Sequence, residues 1–140
     1  MKKKNLWMAM VVLSIATILS ACSKDDEADA REVFEGTWRA TEDFVFDGTP
    51  FSDTYTFTIT RSSGSERNIL LTGFAAEPSE TITASVDGNS FVIPQQTIIS
   101  NGESVGVSGS GSINGNSITY SYNASFIDAS VNVSGTASKL

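Results

Sequence analysis

Ser117-Ile118-Thr119-Tyr120-Ser121-Tyr122-Asn123-Ala124-Ser125-Phe126 decides the fold. Ile118, Tyr120, Tyr122, Ala124 and Phe126 share one parity, and Ser117, Thr119, Ser121, Asn123 and Ser125 the other. Strict alternation over ten residues is the period of an extended strand, whose successive side chains point to opposite faces of a sheet. Asn114-Gly115-Asn116 ahead of it and Asp128-Ala129 behind it are turn sequences. Beyond the second turn, Val131, Val133, Gly135 and Ala137 alternate in a last strand.

The same reading extends towards the N-terminus. Glu103 to Ile113 places Val105, Val107, Gly109, Gly111 and Ile113 on one side, and Asn101-Gly102 before it is a type I′ hairpin signal. Thr97 to Ile99, Phe91 to Ile93 and Ile82 to Val86 are further extended segments, with Pro94 limiting pairing in their midst. Asn68 to Phe74 is apolar on both sides, so it is expected to be covered or to form an interface. Tyr55, Phe57 and Ile59 alternate with four threonines, and Trp38, Ala40, Phe44 and Phe46 share a face of the first strand. No segment is suited to a helical crossover between parallel strands. The expectation is an all-β fold, an antiparallel up-and-down meander of about eight strands closed into a barrel, over residues 35–140. A flattened β-sandwich fits the pattern equally, because alternation does not distinguish one rolled sheet from two stacked ones.

The first 34 residues follow different rules. Lys2, Lys3 and Lys4 precede an apolar run from Leu6 to Leu19, too short to span a bilayer and suited to an export signal. Leu19-Ser20-Ala21-Cys22 then resembles a lipobox, the site at which bacterial lipoproteins are lipidated and cut before the cysteine. The resemblance implies a signal peptide over 1–21, a lipidated Cys22, and an acidic tether over 22–34 with one helical turn near its end. It also implies attachment to the outer membrane through the lipid, facing the cell surface or, alternatively, the periplasm. Several acyl chains would hold such a protein firmly, whereas one gives marginal binding.

Composition narrows the chemistry. The formal net charge is −7, and loss of the three leader lysines takes it to −10. That balance disfavours nucleic acid, which rewards clustered Lys and Arg. There is no histidine, and Cys22 is the single cysteine. The commonest general base, the usual zinc ligands and a free thiol nucleophile are therefore missing. The sequence predicts no enzyme, no catalytic residues, no metal site and no cofactor.

Gly36-Thr37-Trp38 at the head of the meander resembles the Gly-x-Trp signature of the lipocalins and the wider calycin group. In that family the tryptophan plugs the closed end of an eight-stranded barrel. Two features depart from the family pattern: no arginine follows Arg67, where lipocalins carry a late arginine packed on the tryptophan, and the chain ends on a strand rather than a helix. The resemblance implies a lipocalin-like lipoprotein that binds a small hydrophobic or amphiphilic ligand. Trp38, Tyr55, Phe57, Tyr120 and Tyr122 are its candidate lining residues, unless they form a plain core. Arg61, of the same parity as Tyr55, is a candidate partner for a ligand carboxylate at the barrel mouth, or else ends its strand in water. The alternative is a structural β-domain contacting another envelope or host protein, including a protease.

Overall fold

The structure is a computed structural model that describes residues 28–140. The leader and Cys22 lie outside the described residues. Eight strands follow one another in order: β1 (Gly36–Phe46), β2 (Thr49–Arg61), β3 (Asn68–Thr72), β4 (Thr81–Asp87), β5 (Ser90–Ser100), β6 (Glu103–Asn114), β7 (Ser117–Ser125) and β8 (Ser130–Lys139). Each pairs antiparallel with the next, and β8 pairs back onto β1 through Trp38–Lys139 to Phe44–Val133. The sheet is therefore a closed barrel, and the sandwich alternative is excluded. Closure gives every strand a partner on both sides, although β3 pairs β2 only over Thr58–Arg61 and β4 pairs β5 only over Ser85–Asp87.

The alternation that predicted the strands sorts their side chains. Ile118, Tyr120 and Tyr122 of β7 and Val131, Val133 and Ala137 of β8 are buried, while Ser117, Thr119, Ser121, Ser134 and Thr136 are exposed. Burying each large apolar side chain contributes about 1.5–3 kcal/mol, so the inward rows hold the barrel together. The outer wall is mainly serine, threonine and asparagine, with Val45, Val92 and Ile99 as exposed apolar exceptions, unlike a continuous apolar belt facing lipid.

Short turns close both ends. Asn101 and Gly102 both have positive φ (52° and 82°), the geometry of a type I′ turn. In β5 the register shifts between Ile93 and Gln96, so Ile93 and Ile98 both face inward although their parities differ. Pro94 sits in this bulge, where its missing N–H costs no ladder bond.

Two short 3-10 segments finish the barrel. η1 (Glu32–Phe34) crosses one end and inserts the fully buried Phe34, the last residue of the expected tether. Arg31 clamps η1 to the wall, its guanidinium donating to the carbonyls of Ser62, Ser65 and Asn68. η2 (Phe74–Ala76) dips into the other end. The strand expected over Asn68–Phe74 is shorter than its sequence suggests. β3 stops at Thr72, and Gly73 at φ 82° turns the chain so that Phe74 enters the interior instead of extending the strand's outer face. Ile69 and Leu71 are buried and Leu70 half-buried, so this segment is core rather than an interface.

Candidate functional site

The barrel has a closed end and an open one. Phe34, Trp38 and the β4–β5 and β6–β7 turns fill the closed end. Trp38 is fully buried and donates from Nε1 to the Phe34 carbonyl at 2.8 Å. No arginine follows Arg67, and the cation beside this tryptophan is Lys139, whose Nζ lies 5.4 Å from the Trp38 ring. Arg61 is also at this end, exposed and paired with Asp29 and Glu35. The Arg31 hydrogen bonds are the main reason that the Asp29 carboxyl sits well below the usual carboxylate range.

The β1–β2, β5–β6 and β7–β8 turns and η2 surround the open end. There the walls enclose a cavity of about 230 Å³. Phe44 of β1, Ile98 of β5, Val105 and Val107 of β6, and Val131 and Val133 of β8 supply apolar wall. Tyr122 and Glu42 form part of the floor.

Glu42 and Tyr122 belong to a polar cluster inside an otherwise apolar core. Glu42 is 3% exposed. Tyr120 donates to its Oε1 at 2.8 Å, Tyr122 to its Oε2 at 2.9 Å, and Tyr55 also to Oε1. Three of the roughly four acceptor positions of a carboxylate are thus filled. Tyr55 in turn accepts from the Ala75 amide at 3.0 Å, tying η2 to the cluster. No buried side-chain nitrogen or oxygen among the described residues lacks a partner.

Register explains how these groups meet. Glu42 of β1, Gly135 of β8, Tyr120 of β7 and Gly111 of β6 stand in one row across the sheet. A Cβ at Gly135 would overlap the Tyr120 ring, so glycine lets that ring lie across β8 and reach Glu42. A Cβ at Gly111 would likewise meet the Phe91 ring. Gly109 lies against the Ser121 carbonyl and the Tyr122 backbone of β7 and Gly111 against the Phe91 ring, so neither glycine leaves a void, whereas Val105 and Val107 do line the cavity. Phe74 completes the packing, 5.1 Å from the Tyr120 ring, 5.2 Å from Tyr122 and 5.4 Å edge-on from Phe57.

Burial pushes the Glu42 carboxyl above its ordinary value, against the opposing pull of the three phenol hydrogen bonds. Burial, with the neighbouring Glu42 charge second, also raises all three phenols, so they remain hydrogen-bond donors well past neutrality. All three phenol hydroxyls of the cluster are spent as donors to the one carboxylate.

Of the residues singled out in the sequence, Tyr55, Tyr120 and Tyr122 converge here, and Tyr122 reaches the cavity. Phe57 is core beneath them, and Trp38 and Arg61 belong to the opposite end. Glu42 was missed as a site residue. Its signal was parity: it continues the inward series Trp38, Ala40.

No family model matches the chain, and none of the curated proteins does. Among solved structures, the barrel is similar to a protein of Bacteroides fragilis provisionally described as an outer membrane protein, with a TM-score of 0.51 at 13% identity. The likeness covers 79% of this chain and 53% of that one, so this chain spans about half the length of its neighbour and shares its fold.

Proposed function

We propose that this protein is a lipid-anchored lipoprotein of the outer membrane, on the cell surface or alternatively the periplasmic face, whose barrel mouth holds a small hydrophobic or amphiphilic ligand without transforming it. The observation that carries the binding reading is the apolar cavity at the open end, floored by Glu42 and Tyr122. Apolar walls with a few fixed polar groups are the usual make-up of a small-molecule site. At about 30 Å³ per heavy-atom group, comparable to the liquid volume of water, 230 Å³ admits roughly eight such groups. That suits a short apolar tail rather than a folded partner.

Anchoring rests on the Leu19–Cys22 lipobox resemblance and on the polar outer wall, which is suited to water rather than to lipid. The outer-membrane description of the Bacteroides fragilis neighbour is consistent with this address.

A second reading has its own support. Val45, Phe46, Phe51 and Ile127 are exposed around the same mouth, an apolar rim on which another envelope or host protein could sit. Both readings use the open end, and a filled cavity separates them. Ala124→Trp places a large ring in the mouth. It is expected to abolish calorimetric binding of medium-chain amphiphiles while leaving the rim intact. Undiminished binding by this variant, or no binding by the unaltered protein, would overturn the small-ligand reading. For the anchor, Cys22→Ser is expected to release the protein from the membrane fraction and to remove the acyl mass seen by mass spectrometry. Unchanged fractionation and mass would overturn that part.

A further inference from the structure

The two ends of the barrel differ in charge. Arg31, Arg39, Arg61, Arg67 and Lys139 are the cations among the described residues, and all belong to the closed half, where Asp29, Glu32, Glu35, Glu66 and Asp87 balance them. The open half carries carboxylates alone. Each structure around the mouth contributes: Asp47 in the β1–β2 turn, Glu77 and Glu80 around η2, Glu103 at the start of β6, and Asp128 in the β7–β8 turn. Asp53, the cross-strand partner of Glu42, and Glu77 also line the cavity itself. Phe44, Phe46, Phe126 and Tyr122 set aromatic groups among them.

We propose that the mouth selects amphiphiles with a positively charged head, an alkylammonium in the simplest case, and rejects those ending in a carboxylate. This deepens the small-ligand reading and rests on it. A cavity whose walls are low in dielectric focuses the field of the carboxylates around it. The tail enters the apolar chamber while the ammonium stays at the rim, beside Asp53 and Glu77 and within reach of aromatic faces. An anionic head placed there meets like charges and no described cation. The Arg61 guanidinium that the sequence offered for a ligand carboxylate lies at the other end, engaged with Asp29 and Glu35.

The test compares octylamine, octanol and octanoate, three probes with one tail and three heads, by calorimetry near neutral pH. Octylamine is expected to bind about tenfold or more tighter than octanol at low ionic strength, and octanoate weakest. The advantage should shrink as salt is added, because rim charges are screened. A double variant, Asp53→Asn with Glu77→Gln, is expected to bring the affinity for octylamine down towards that for octanol, read as the ratio of the two within the same variant. If octanol or octanoate binds as well as octylamine, the charge inference fails and the small-ligand reading stands. If no octyl compound binds, both fail. Should the double variant not fold, the salt dependence of the unaltered protein decides: an advantage indifferent to salt overturns the proposal.

Discussion

Glu42 is the residue that sets the character of this interior. A carboxylate buried without a cation is costly, and here three phenols offset part of that cost through charge-assisted hydrogen bonds. Its raised pKa makes a signed prediction. The folded protein holds the Glu42 proton more tightly than the unfolded chain does. This group's contribution to stability is therefore greatest below the unfolded value, about 4.5, and is lost as pH rises through the native one. That is opposite in sign to Asp29, whose carboxyl is stabilised in its charged form. Glu42→Gln removes the titration while keeping an acceptor for the phenols. Measured by denaturant midpoint, the variant is expected to gain on the parent as pH rises from about 4.5 towards neutrality. A variant that loses ground over that range would show that the phenols outweigh burial.

At the scale of elements, η2 distinguishes the open end from a simple hairpin connection. Phe74 is driven inward by the aromatic contacts it makes, and the chain beyond it adopts left-handed backbone at Ala75 and Ala76, both with φ near 59°. A non-glycine residue there costs about 1–2 kcal/mol, which the Phe74 plug and the Ala75–Tyr55 hydrogen bond offset. Ala76 is exposed, so its side chain contributes little packing. Ala76→Gly is therefore expected to stabilise the protein by up to about 1 kcal/mol, seen as a raised midpoint of thermal unfolding. A fall would mean that the entropy released to the unfolded chain exceeds the relief of strain.

For the whole molecule, the important relation is between the proposed anchor and the mouth. The described chain enters at the closed end through η1, and the cavity opens at the opposite end. From Cys22 to Ala28 an extended chain reaches at most about 20 Å, so the lipid proposed on Cys22 would keep the closed end near the bilayer. The half without cations then faces away from an anionic surface that would repel it. Strands of this length, tilted as barrels require, separate the ends by roughly 25 Å. Anchored to vesicles containing an acceptor lipid, a donor dye at position 128 should transfer less energy than one at position 116. Equal transfer would mean that the barrel lies on its side.

The strands and their turns were legible in the sequence because a half-buried strand must alternate and a tight turn needs Gly, Asn or Asp. Asn101-Gly102 and the 117–126 stretch show both rules acting locally. The end of β3 was not legible: Phe74 has the parity of Leu70, and only the left-handed Gly73 with an aromatic pocket beyond it turns that ring inward. Nor was the polar cluster. Tyr55, Tyr120 and Tyr122 could be placed on an inward face, but their meeting with Glu42 depends on closure of β8 onto β1 and on Gly135 yielding space between strands. By itself the sequence determined the strands, their inward faces and the lack of histidine, because those follow from periodicity and composition. Tertiary structure alone decided which end opens, where the charges gather and what covers Glu42, because long-range register brings residues together without leaving a local trace.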